Sequence, residues 1–318
     1  MTAPDQYISI EGMTIRYRVY PAYADYAANG KLQNKRRGKI RGRVLVLPGF
    51  TEFIEKHEAQ ALKFAAMGLE AVCLDWPSQG LSTRLSPGFP QLVHSDGFHQ
   101  HLAALSAVMK ASGFDRHDLP LLIFGHSMGG HLALRYAHEN KAHPHIKGVM
   151  LIAPMIMPPV KPGRLVSVLV NFLCSLGLAT RPLFFRQDDL KSREFHPNNV
   201  LTRDPEGYQF QYEWFTRNPD LKVTGPSFGW VRAAYQSCLA YTANPKILRQ
   251  INLPVEAHLA GDERVVDAEA SARYLPELPR GIIHIYPEAR HELMQELPAT
   301  RDLIWERLEA FVNGQLKA

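Results

Sequence analysis

Six short apolar runs, each followed by a stretch with helical rhythm, constrain this chain more than any other feature. They are Val44 to Leu47, Glu70 to Leu74, Leu121 to Phe124, Gly148 to Ala153, Val255 to Leu259 and Ile282 to Tyr286. Strands this rich in Val, Ile and Leu must be covered on both faces, and the helices between them supply the cover, so the expected class is α/β with a mostly parallel sheet. Ahead of them, YISIEGMTIRYRVY alternates apolar and polar residues around Glu11-Gly12, as a two-stranded hairpin does. A chain of 318 residues with 46% hydrophobic and 21% charged residues can bury a full core and is not disordered, collagen-like or coiled-coil. The rhythm stops between Pro154 and about Pro245, a stretch rich in proline and aromatics that contains RLVSVLVNFLCSLGLATRPLFF. That interruption predicts a helical cap, 154–245, inserted into a core formed by 1–153 and 246–318 and lying over the strand ends.

Ligands in such sheets bind at the carboxyl ends of the strands. At one of those ends the chain reads FGHSMGGHLAL, with Ser127 between Gly125 and Gly129. A strand that turns sharply into a helix leaves a serine exposed at the sheet end, and the flanking glycines clear the space that the strained turn needs. The serine then stands near free helix N–H groups, which favour negative charge. A nucleophilic serine needs a base and a carboxylate to orient it, and in this architecture the chain order is serine, acid, histidine. His291 in PEARHEL follows the last strand, whereas His284 lies within that strand and points sideways off the sheet. The loop LAGDERVVD offers Asp262, Glu263 and Asp267; Asp267 suits the N-cap of the next helix, which leaves Asp262 and Glu263 open as the acid.

These residues together resemble the serine α/β-hydrolases of the monoacylglycerol lipase and bacterial lysophospholipase branch. The resemblance runs from about Met13 to the C-terminus through LPGFTEF, LDWPSQGLS, GHSMGG, GPSFGWVRAA, AGDERVVD and RHEL. It implies the α/β-hydrolase fold and favours Glu263, before Arg264, where such enzymes usually carry aspartate. It also places the oxyanion hole at the backbone N–H groups of Phe50 and Met128. The histidine that usually precedes the glycine is Pro48 here, which backbone donors tolerate.

The expected reaction is hydrolysis of a carboxylic ester through an acyl-enzyme on Ser127, without metal or organic cofactor. The resemblance implies single-chain lipid esters, lysophospholipids or monoacylglycerols, with Met155, Met157, Leu169 and Phe172 as an apolar wall for the acyl chain. A carboxylesterase or thioesterase would use the same residues, and a non-catalytic binding protein would keep the fold without them. Dehalogenases and epoxide hydrolases of this architecture need an aspartate where Ser127 stands. A net charge of +5 is mild, and no nucleic-acid motif is present. The first twenty residues lack a leader pattern, and Cys73, Cys174 and Cys238 are far apart and odd in number, as expected of reduced thiols in a cytoplasmic chain. Lys31 to Arg43 carries seven cations and no acid, so peripheral contact with an anionic membrane through this segment and the cap is expected.

Overall fold

The computed structural model describes residues 3–26, 32–34, 38–141, 143–160, 163–183 and 194–316. The eight strands of its main sheet are β1 (Gln6–Ile10), β2 (Met13–Tyr20), β3 (Gly42–Leu47), β4 (Leu69–Leu74), β5 (Leu121–His126), β6 (Ile146–Ile152), β7 (Val255–Ala260) and β8 (Gly281–Tyr286). Their order across the sheet is β1-β2-β4-β3-β5-β6-β7-β8. The hairpin strand β2 runs antiparallel to β1 and β4, while β3 to β8 are parallel to one another. Together with the helices on both faces, this is the α/β-hydrolase fold.

The two-residue period of a strand assigns each side chain to a face. In β3 and β5, Leu45, Leu47, Leu121 and Ile123 enter one apolar cluster. Val44, Val46, Leu122 and Phe124 enter the other. The second cluster is closed by α1 (Glu58–Ala66) through Ala61 and Phe64. The first is closed by α2 (His99–Ser112) through Leu102, Leu105 and Val108, and by α3 (Met128–Glu139) through Leu132 and Ala133.

Between β6 and β7 lie α4 (Gly163–Leu173), α5 (Pro205–Arg217) and α6 (Phe228–Ala240). The GPSFGW motif joins this insertion to the core. Gly225-Pro226 pairs with Leu92-Val93, and Ser227 caps α6 by accepting from the Trp230 N–H at 3.0 Å. A Cβ at Gly229 would stand 2.4 Å from the His94 ring, so helix and loop meet too closely for a larger residue. Ala233, Ala234 and Cys238 then carry α6 into the core itself. After β7, α7 (Ala268–Tyr274) starts at Asp267, whose side chain accepts from the Ala270 N–H at 3.0 Å. The last helix, α8 (Pro298–Gln315), closes the second cluster through Ile304, Leu308, Phe311 and Val312.

Candidate active site

Ser127 is the single residue between β5 and α3. Its φ of 52° and ψ of −116° put a side-chain-bearing residue in a region that costs backbone energy. Crowding on both sides enforces the turn: a Cβ at Gly125 would lie 2.5 Å from the Gly129 carbonyl oxygen, and one at Gly129 would lie 2.0 Å from that of Leu47. The loops after β7 and β8 leave the sheet at the same end, because the register pairs Ala260 with Tyr286. They carry Glu263 and His291.

His291 Nε2 lies 3.0 Å from Ser127 Oγ, and His291 Nδ1 lies 2.8 Å and 3.0 Å from the two Glu263 oxygens. With a carboxylate accepting from Nδ1–H, Nε2 is left to accept the serine proton. Burial pushes the Glu263 carboxyl up, but His291 and the N–H groups of Val265 and Val266 outweigh it and hold it below the ordinary value. Asp262 points elsewhere, its two oxygens on Arg264 at 2.7 Å and 2.8 Å. Of the two carboxylates open in the sequence, Glu263 is therefore the one beside His291. His284 Nε2 donates to Glu256 Oε1, 3.0 Å away, within the sheet.

Two N–H groups near the serine in the fold have no partner among the described residues. Gly49 N donates to Glu52, Thr51 N donates to Gln79 Oε1 at 3.1 Å, and Ser127 N donates to Ile152 O at 2.9 Å. Phe50 N, between the first two, and Met128 N, the first of α3, donate to no described residue.

Residues 38–298 match the model of the serine aminopeptidase S33 family. The chain belongs to that family. Among relatives, this S33 chain is 25% identical to a probable lysophospholipase L2 of Haemophilus influenzae over 286 residues, covering 87% of this chain and 85% of that one. It is also 25% identical to the monoglyceride lipase of Saccharomyces cerevisiae, covering 92% and 87% of the two chains. A soluble variant of that yeast lipase, solved with a substrate analogue, superposes with a TM-score of 0.75 at 20% identity over 100% of this chain and 97% of the other. At that identity the likeness is one of fold.

Beneath the serine of this S33 chain lies a cluster of buried charge that its sequence did not disclose. Glu52 accepts from His126 Nδ1 at 2.9 Å and contacts His57 Nε2 at 2.7 Å. Lys56 Nζ bridges Glu52 and Glu292 at 2.7 Å each. Burial opposes the Lys56 charge, but Glu292 and Glu52 more than compensate and raise its pKa. Ligand atoms of Glu52, His57 and His126 lie within 4.8 Å of one another, a spacing that suits a metal ion. The Lys56 ammonium already provides a cation at that carboxylate, and hydrogen bonds account for the convergence. Glu52 and Lys56, four residues apart after LPGF, and His126, next to the serine, were the available signals.

A cavity of about 640 Å³ opens above Ser127 and His291. Phe50, Tyr208, Tyr212, Phe215, Val223 and Val265 give it apolar and aromatic walls, and Lys56, Glu52 and Glu292 line its floor. Met155, Met157, Leu169 and Phe172 are not among the residues lining it, which corrects the expected acyl wall. Met155 and Met157 are 4% and 7% exposed within the core, held where Ser127 O accepts from Met155 N at 2.9 Å and Met157 O from Asp267 N at 3.1 Å. Helix α4 buries Val170 instead, which turns Leu169 and Phe172 outward, 58% and 59% exposed.

Proposed function

We propose that this protein is a serine hydrolase of single-chain lipid esters, of the lysophospholipase or monoacylglycerol lipase kind. The observation that carries the reading is the unbroken hydrogen-bonded line from Glu263 through His291 to Ser127, on the floor of a cavity and beside two unpaired N–H groups. His291 Nε2 takes the Ser127 proton as Oγ attacks the ester carbonyl, and the N–H groups of Phe50 and Met128 receive the oxyanion, each worth about 3 kcal/mol in the transition state. His291 gives that proton to the leaving alcohol, and water repeats the cycle on the acyl-enzyme. The cavity volume falls in the range of small-molecule sites, and its aromatic walls suit an acyl chain. Residues 154–245 act as the cap that supplies most of those walls.

The lipid reading is supported by the relatives named lysophospholipase and monoglyceride lipase. A second reading, aminopeptidase, is favoured by the family's description. Hydrolysis rates across lysophospholipids, monoacylglycerols, short nitrophenyl esters and aminoacyl anilides test both. Preference for single-chain lipids is expected; preference for anilides would overturn it. Ser127→Ala should lower turnover by several orders of magnitude and abolish fluorophosphonate labelling.

Peripheral membrane contact, through Lys31 to Arg43 and the cap, belongs to the same reading. Lys31, Lys35, Arg36 and Arg37 lie outside the described residues. Arg41 donates to Met67 O and Asn313 Oδ1 at 3.0 Å and 2.8 Å, and Arg43 is buried against Glu70 and Asp118. On the cap, the apolar face of α4 and the turn after it, Leu165, Val168, Leu169, Phe172 and Leu176, offers the contact, since each of these is more than half exposed. No described helix is long and apolar enough to cross a membrane. Binding to neutral as well as anionic vesicles, lost in Leu169→Ser with Phe172→Ser, is the expected result.

A further inference from the structure

The ester cleavage described above makes no use of His126, although it is buried, hydrogen-bonded to a carboxylate and next to the nucleophile. Both of its ring nitrogens face acceptors. Nδ1 lies 2.9 Å from Glu52 Oε1, and Nε2 lies 3.4 Å from the main-chain oxygen of His291 and 4.0 Å from Glu292 Oε2. A neutral imidazole donates from one nitrogen only, so satisfying both directions requires the imidazolium. We propose that His126 is a positioning residue for His291: as an imidazolium anchored on Glu52, it donates Nε2–H to the His291 carbonyl and holds the general base in line with Ser127. The inference rests on the reading of Ser127 as nucleophile and His291 as base.

Three chain segments meet at this ring. Glu52 comes from the loop after β3, Lys56 and His57 from the helical turn Ile54–His57, and His291 and Glu292 from the loop after β8. Burial works against the imidazolium, but Glu52 and then Glu292 outweigh both burial and Lys56 and push its pKa up to about 9. The same Glu52 carboxylate accepts from Gly49 N, next to the unpaired Phe50 N–H. Lys56 fastens Glu292, the residue after His291. One charged ring therefore ties the oxyanion loop, the nucleophile strand and the histidine loop together. During turnover the His291 ring must move a proton from Ser127 to the leaving oxygen while its backbone stays fixed, and a displacement of about 1 Å is enough to cost ~10²-fold in rate.

The test compares wild type, His126→Leu and His126→Gln on a short, soluble nitrophenyl ester from neutral into alkaline pH, with circular dichroism and fluorophosphonate labelling on each sample. His126→Leu should lose about 10²-fold in kcat with little change in KM. His126→Gln keeps a neutral donor and should regain part of that loss. Wild-type kcat should fall as pH rises through about 9, and this fall should be absent in His126→Gln. A His126→Leu enzyme with wild-type kcat, or a His126→Gln enzyme with the wild-type alkaline fall, overturns the inference. If His126→Leu does not fold, the His126→Gln profile decides by itself. Turnover retained in Ser127→Ala would instead sink the underlying reading of the nucleophile.

Discussion

Residues 52 to 58 feed two buried charge clusters that share their ingredients and differ in what they hold. Glu52, Lys56 and His57 turn toward Ser127 and join His126 and Glu292. Glu55, from the same turn, faces the hairpin, where it pairs with Arg16 and, at 2.7 Å, with Arg18. Arg16 also meets Asp75 at 3.0 Å, and Asp5 pairs with both arginines. Asp75 in turn accepts from Ile54 N at 2.9 Å and Leu81 N at 2.8 Å. Both clusters pair their charges, as burial demands. The first joins loops that carry the reacting groups, and the second fastens β2 to the loop after β4. Pairing of buried charge is thus a common device here, and its consequence depends on which loops it fastens: damage to the first should appear in rate, damage to the second in stability.

The largest expected effect sharpens the catalytic side. Glu263→Gln removes the acceptor beside His291 Nδ1 and should lower kcat by about 10⁴-fold, as loss of a triad carboxylate does. Asp262→Asn, which only frees Arg264 and Arg290, should stay near wild type. Steady-state kinetics of the two purified variants check this, and the opposite ranking would move the acid to Asp262. Next comes the hairpin side. Arg16→Met strands Asp75 as a buried, uncompensated charge and leaves Glu55 to Arg18 alone, and should cost about 3–5 kcal/mol in urea unfolding, with kcat of the folded fraction retained.

A matched pair then sets the clusters directly against each other. Glu52→Gln should lower kcat by about 10²-fold, whereas Glu55→Gln should lower the unfolding midpoint and leave kcat in place. Equal loss of rate in both would show that the turn acts as a single unit and end the distinction. The smallest effect expected is on pH. The folded-state pKa of His126 is raised, so its contribution to stability is complete below the unfolded value of about 6.5 and is lost as pH rises through about 9. Arg16 and Arg18 are held charged well beyond that window by Asp75 and Glu55. Between neutral pH and about pH 10, the thermal midpoint should therefore fall by a few degrees more in wild type than in His126→Gln. An identical fall in the two would remove His126 from the cause.

Much of the architecture was present in local pattern. Apolar runs of four to six residues between stretches of helical rhythm read as strands of a covered sheet, and the six runs named from the sequence are strands β3 to β8, though the edge strand β8 leaves Ile282 and Ile285 54% and 61% exposed. The glycine-flanked serine is legible in the sequence as a tight strand-to-helix turn, and the clash that requires Gly125 arises within that turn, whereas the one that requires Gly129 comes from the Leu47 carbonyl at the end of β3. Side-chain direction was not local. Leu303 belongs to the apolar stripe of the last helix by spacing yet is 40% exposed, and Leu169 and Phe172 turn away from the cavity because α4 packs by its other face.

What the sequence determined by itself was the order of strands and helices and the corner that presents Ser127, since period, glycine and chain sense act over a few residues. Tertiary structure decided which carboxylate reaches His291, because Asp262 and Glu263 are neighbours and only the surrounding arginines and N–H groups distinguish them. It also decided which residues wall the cavity, and it brought Glu52, Lys56, His126 and Glu292 together from the segment after β3, the end of β5 and the loop after β8. Those are contacts across 74 and 236 residues of chain, where no periodicity reaches and only the folded backbone sets the distance.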